Sequence, residues 1–216
     1  DKETGKTERV LGTRQGYWKD RKSEWKKVLP DSRGGRSSTL LGEGLKTLAS
    51  EAGLTSLTGT SEFDPVLCEI LYQWFCPKSG VVIDPFAGGH IRGTVADCLG
   101  LYYTGIELRQ EQVNYNNDVK KEYGINNAKW ICDDSLNVGN YVENDSADFI
   151  ISCPPYADLE KYSDDPRDLS NMNYDDFLKT YREIIKRFIS KLKENRFAVF
   201  VVGDVRDKQG FYRDRK

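Results

Sequence analysis

From Gly80 onward the chain alternates short apolar runs with stretches of helical periodicity, and that alternation admits few folds other than a parallel α/β sheet flanked by helices. Val81-Val82-Ile83 reads as a first strand, broken at Asp84-Pro85, and Ile91 to Leu99 as the helix that follows it. Tyr102 to Leu108 reads as a second strand, ahead of a polar helix from Gln110 to Tyr123. Lys129 to Cys132 makes a third and Asp148 to Ser152 a fourth. Tyr174 to Lys193 carries Phe177, Tyr181, Ile184, Ile185, Phe188 and Leu192 at the spacing of an amphipathic helix. Phe197 to Gly203 is wholly apolar, so a fifth strand is expected there in a central position. Asp64 to Phe75 reads as a short apolar helix, whereas residues 1–60 are polar and rich in Gly, Ser and Thr without a strong period. The expected division is an N-terminal extension (1–60) wrapped on one α/β domain (61–216).

A chain of 216 residues buries an ample core without staples. With 31% charged residues and a net charge of -2, it lacks any global attraction to nucleic acid, so contact with DNA requires a local basic surface. Apolar runs fall short of the roughly 18 residues of a membrane helix, and Asp1-Lys2-Glu3-Thr4 is unlike a signal peptide, so a cytoplasmic protein is expected. Five cysteines, scattered and without a C-x-x-C pair, suggest free thiols rather than disulfides or a zinc site. His90 is the single histidine, which removes a multi-histidine metal site and any imidazole relay elsewhere. No metal is expected.

The strand ending in Asp84 opens into Phe86-Ala87-Gly88-Gly89 before a helix, the pattern of a loop that lets a nucleotide-type cofactor approach the backbone closely. Alone, a glycine turn is a weak signal, and an ordinary strand-to-helix turn has the same look. Glu107 strengthens it: this acid ends the second strand 23 residues after Asp84, near the roughly 20-residue spacing at which an acid holds ribose hydroxyls. Asp133-Asp134 follows the third strand, so acids at three consecutive strand ends converge on one crevice. At the end of the fourth strand stands Cys153-Pro154-Pro155-Tyr156. Two prolines make a rigid backbone with free carbonyl acceptors, and a tyrosine beside them can stack on a flat ring, as a pocket for an extruded base requires.

These motifs, in this order, resemble the S-adenosylmethionine-dependent amino-methyltransferases of DNA, which make N6-methyladenine or N4-methylcytosine. The resemblance is strongest to the phage and prophage branch, sometimes fused or adjacent to ParB-like domains. It runs through Arg14-Gln15-Gly16-Tyr17-Trp18, Phe63-Asp64-Pro65-Val66-Leu67, Asp84 to Gly93, Gly105 to Arg109, Cys153 to Tyr156, Leu159-Glu160, Tyr162-Ser163 and Val202 to Arg206. It implies a Rossmann-like sheet, mostly parallel, with helices on both faces, whose C-terminal strands are expected beyond Lys216. Asp84, Phe86, Ala87, Gly88 and Gly89 then match the cofactor loop, Glu107 and Leu108 the ribose position, and Asp134 the acceptor for the cofactor's adenine amino group. Phe63 and Asp64 resemble the motif near its methionine portion, and Cys153, Pro154, Pro155 and Tyr156 the catalytic motif for the base. Cys153 replaces the usual Asp, Asn or Ser, and a thiol is a weak acceptor. His90 stands where relatives have a small residue; a reach to the cofactor carboxylate competes with a plain place at the helix start.

The expected reaction is methyl transfer to the exocyclic amine of a DNA base, N6 of adenine favoured over N4 of cytosine. Two other readings compete: pyrimidine C5 methylation with Cys153 as nucleophile, in which the cysteine would have to follow the prolines, and a non-catalytic DNA-binding module. For DNA contact the residues are Arg14, Lys19, Arg21 and Lys22, from a stretch between Thr13 and Arg36 with eight basic residues against three acids. The alternative there is a solvated segment whose Trp18 and Trp25 pin it to the core. Ala157 to Asp176 carries seven acids against two bases and suits a loop over the active site better than a phosphate surface.

Overall fold

The computed structural model describes residues 12–30, 63–155 and 161–202. Five strands, β1 (Val81–Asp84), β2 (Tyr102–Glu107), β3 (Ala128–Cys132), β4 (Ala147–Ser152) and β5 (Leu192–Phe200), form one sheet in the order β3-β2-β1-β4-β5. Every pairing is parallel, with Ile83 opposite Thr104 on one side and Ile150 on the other. The helices are α1 (Gly12–Val28), α2 (Pro65–Phe75), α3 (Ile91–Cys98), α4 (Gln110–Tyr123) and α5 (Tyr174–Ile189). None of the helices among the described residues is long and apolar enough to cross a membrane.

Strand alternation divides the core between two faces. Val82, Phe149 and Ile151 face a cluster with Trp25 of α1, Val66 and Tyr72 of α2, Val95 of α3 and Val113 of α4. Ile83 and Ile150 face a second cluster with Phe177, Ile184 and Phe188 of α5. Local chemistry sets the helix ends. Asp64 caps α2 by accepting from the Val66 N–H, with Pro65 in the first turn. Gly124 ends α4 at a positive φ of 66°. Asn173 caps α5 by accepting from the Asp176 N–H.

Two elements depart from expectation. Gly12 to Val28 is helical although its sequence has no apolar period, because it is held to α2 by polar groups around a single buried indole, Trp25. The α5 helix stops at Ile189, and β5 begins at Leu192 rather than Phe197. Leu192 pairs with Ala147 and Phe197 with Phe149, so Lys193 to Arg196 bulge from the ladder, with Asn195 at φ 56°. Lys193 and Arg196 both reach the Asp148 carboxylate from this bulge, at 3.0 and 3.1 Å. Among the described residues β5 is an edge strand and not central, and Phe197 is 53% exposed.

Strand order matters most for the site. It reverses between β1 and β4, and in an open α/β sheet the crevice outside the carboxyl ends of the strands at that reversal receives ligands. The Asp84 loop and the Cys153 motif leave from those two neighbouring strand ends.

Candidate active site

The Asp84 loop is shaped by charge buried behind it. Asp84 is fully buried; one carboxylate oxygen accepts from the Phe86 N–H at 3.0 Å, the other from Arg92 Nε at 2.5 Å and the Tyr103 hydroxyl at 2.8 Å. The Arg92 guanidinium also donates to the carbonyls of Phe86 and Ala87 and lies 4.8 Å over the Phe63 ring. These bonds fix the loop's inner carbonyls. Gly88, at φ 51°, is then able to present its N–H to Glu107 Oε2 at 2.9 Å, in a conformation that a side chain would strain. Beneath the loop, Gly105 permits close packing, since a Cβ there would stand 2.6 Å from that of Ala87.

Glu107 closes β2 with its other oxygen accepting from the Arg109 N–H at 3.0 Å. Burial raises its pKa above the ordinary carboxylate value, with Arg109 and the Gly88 N–H working in the opposite sense. After β3 the two adjacent acids differ. Asp133 spends both oxygens on the Asp134 N–H, the Asn137 amide and the Tyr141 hydroxyl. Asp134 spends Oδ1 on the Leu136 N–H, and among the described residues Oδ2 accepts no hydrogen bond. Ser135 ties this turn to the Asp84 loop by donating to the Pro85 carbonyl.

These groups line one open cleft. Of the residues expected from sequence, Phe86, Gly88, Glu107, Leu108, Asp134, Cys153 and Pro155 line it together. Phe63, Asp64, Asp84, Ala87, Gly89 and Pro154 do not. Asp84 acts through the loop that it braces, and Ala87 is buried with its N–H on the Ile106 carbonyl. The Asp64 carboxylate caps α2 and accepts from Trp18 Nε1 and Lys22 Nζ at the seam with α1. Phe63 lies under the Arg92 guanidinium and packs against the core. His90 is fully buried and bonds Thr94, consistent with a place at the helix start. Tyr156 lies outside the described residues, as do Leu159 and Glu160 and the side chain of Arg14.

Arg21 and Lys22, expected to face DNA, are held in ion pairs with Glu69 at 2.7 Å and Asp64 at 2.8 Å. Lys19 is exposed. Trp18 and Trp25 both donate to acids of the core segment, the pinning role that competed with stacking.

Sequence reasoning gave no site role to Tyr162, Arg167, Asp168 and Leu169, which line the cleft from the segment after the Pro-Pro motif. That segment is knit internally. Asp168 accepts from Ser163 and Ser170, the Asn171 amide donates to the carbonyls of Ser163 and Asp165, and Leu169 is anchored in the core under α5. Its acid-rich composition suggested a covering loop, but no local signal identified which side chains turn inward. Among the described residues no group of His, Cys, Asp or Glu is placed to hold a metal ion.

The lining suits an adenosyl cofactor: a half-buried carboxylate for a ribose diol, a second acid with an oxygen uncommitted among the described residues for an amino group, and Phe86, Leu108, Leu169 and Ile184 as apolar walls. No protein-family model matches the sequence, and no curated protein matches it. Solved structures do match by shape. TrmN from Thermus thermophilus is similar over 65% of this chain at 14% identity and a TM-score of 0.51. An rRNA methylase from Streptococcus thermophilus is similar over 66% at 12% identity and a TM-score of 0.48, and SMU.1697c, a putative methyltransferase from Streptococcus mutans in complex with SAH, over 65% at 14% and 0.47. The matched part spans 38% of TrmN, 74% of the rRNA methylase and 73% of SMU.1697c. The sheet order, the site at its reversal and the likeness to TrmN establish the architecture: the chain has a Rossmann-like fold, an all-parallel five-stranded sheet with helices around it.

Proposed function

We propose that the chain transfers a methyl group from S-adenosylmethionine to the exocyclic amine of a DNA base, with N6 of adenine favoured over N4 of cytosine. The observation that carries this reading is the convergence of Gly88, Glu107 and Asp134 with Cys153 and Pro155 on one cleft between neighbouring strand ends. When bound, the cofactor supplies a methyl group already activated on a sulfonium. Glu107 would accept from the ribose hydroxyls, Asp134 from the adenine amino group, and Phe86 would wall the methionine side. The Cys153-Pro154-Pro155 segment would hold the acceptor amine in line, its carbonyls drawing on the amine protons. No strong base is required, since the amine proton becomes acidic as the bond forms and leaves through water. A place beside ParB-like domains in phage-type systems accords with the sequence resemblance.

The test is methyl transfer to defined DNA and RNA followed by mass spectrometry of the nucleosides. N6-methyladenine or N4-methylcytosine in DNA supports the reading. Methylation confined to RNA, or 5-methylcytosine with a covalent adduct on a fluorinated pyrimidine, would replace it.

A further inference from the structure

Two hydroxyls at the site end of the sheet have no role in the arrangement above. Ser152 closes β4 and is fully buried, and among the described residues its Oγ has no hydrogen-bond partner. An unpaired buried hydroxyl is costly, so one adjoining a binding motif is poised for a ligand partner. Ile150, two residues earlier, packs under α5, and strand alternation puts Ser152 on that same face. Tyr181 of α5, with Phe86 and Phe200, packs against that cluster as well, and Phe200 is the register partner of Ser152.

The Tyr181 ring is only half-buried. It stacks on Phe177 (5.7 Å, 21°), tilts against Phe86 (6.0 Å, 37°) and meets Phe200 edge-on (6.5 Å, 88°). Its hydroxyl makes no hydrogen bond among the described residues, and the Phe200 ring that it meets is the register partner of Ser152, the residue before Cys153. Burial pushes the phenol pKa up to about 12, so at neutral pH it is a neutral hydroxyl that both donates and accepts.

We propose that Tyr181, together with Ser152, forms the polar end of the acceptor pocket, its hydroxyl taking the hydrogen-bonding role toward the target base that the Cys153 thiol fills weakly. Phe86 and Phe200 supply apolar walls for a flat ring beside that hydroxyl. Tyr181 is thereby a specificity-determining residue, an inference that rests on the amine-methylation reading.

Tyr181→Phe keeps the ring and its aromatic contacts and removes only the hydroxyl. The variant and the wild-type protein are compared in methyl transfer to DNA, in cofactor affinity by calorimetry, and in binding of a single-stranded oligonucleotide carrying 2-aminopurine, read by fluorescence quenching. Tyr181→Phe should leave Tm and cofactor affinity unchanged while lowering both kcat/KM for DNA and 2-aminopurine affinity about tenfold, the effect of one buried hydrogen bond left unmade. The loss should shrink in a Cys153→Ser background, where a hydroxyl stands in for the thiol, and strict additivity of the two changes would count against the proposal. Unchanged kcat/KM and 2-aminopurine affinity would overturn it, as would a loss confined to cofactor affinity. Wild-type protein that binds cofactor yet methylates no nucleic acid would instead remove the amine-methylation reading, and this proposal with it.

Discussion

Glu107 concentrates the chemistry of the cleft in one ionisation. Its pKa is raised by burial, so the neutral carboxyl persists above the ordinary value of 4.5. Ribose hydroxyls donate to the ionised form, which makes cofactor affinity flat above the raised pKa and makes it fall as pH is lowered through it. Binding draws the pKa down and releases protons in that window, so the calorimetric enthalpy should vary with the ionisation heat of the buffer there and not at higher pH. Glu107→Gln should weaken cofactor binding about tenfold, as loss of a hydrogen bond to a charged group does, and remove the buffer dependence. Equal affinity in the variant would eliminate the ribose role. That Glu107 and Asp134 reach the cleft was legible in the sequence because each stands at or just past a strand end, Glu107 also by its spacing from Asp84. Asp64 and Asp84 were not separable from them: a strand-end or pre-helix acid has the same look whether it caps a helix, braces a guanidinium or meets a ligand, and only the positions of Val66, Trp18, Arg92 and Tyr103 decide.

At the scale of elements, α1 shows how a helix without an apolar stripe can be fastened. Glu69 of α2 accepts from Arg21 at 2.7 and 2.8 Å and from the indole of buried Trp25 at 2.7 Å. Its pKa is lowered, by the Arg21 hydrogen bonds first, against the cost of burial and with the Trp25 bond assisting. A depressed carboxylate contributes stability above its unfolded pKa and loses it as pH falls through the folded value, so α1 should loosen in acid, below 4.5. Glu69→Ala strands the Trp25 N–H and should cost about 1–3 kcal/mol in urea unfolding, with a red-shifted tryptophan emission; an unshifted spectrum would show that α1 is held otherwise. The second element-scale prediction concerns the contact of β2 with the cofactor loop. Gly105→Ala would place a methyl 2.6 Å from the Ala87 Cβ and 2.7 Å from the Tyr103 hydroxyl. The variant should lose about 1–3 kcal/mol and bind cofactor more weakly, because the loop must move; a stable variant with native affinity would contradict that packing. The strands and α2 to α5 were readable from periodicity, whereas α1 was not, its adhesion being polar. The early start of β5 was hidden by the bulge, whose charged residues pair with Asp148 rather than with the ladder.

On the scale of the whole molecule, strand order is what no local signal in the sequence supplies, and it is strand order that puts the Asp84 loop and the Cys153 motif side by side at the reversal of the sheet. The same arrangement restricts how nucleic acid can be held. The net charge is -2, the cleft is lined by Glu107, Asp133, Asp134 and Asp168 against Arg109 and Arg167, and Arg21 and Lys22 are committed to Glu69 and Asp64. Among the described residues the exposed cations of the basic stretch are Lys19, Lys26 and Lys27 along α1. On the proposed DNA-methylation reading, affinity for DNA should fall with salt, each phosphate neutralised contributing about 0.9 to the logarithmic slope. Lys19→Glu should weaken DNA binding and flatten that slope while leaving Tm unchanged. Arg21→Glu should do the reverse, lowering Tm through repulsion from Glu69, with its effect on DNA binding following the loss of folded protein. Fluorescence anisotropy over a salt series, beside thermal unfolding of both variants, separates these outcomes. A folded Arg21→Glu protein with native Tm and greatly reduced DNA affinity would return that arginine to the DNA interface and place the ion pair with Glu69 second.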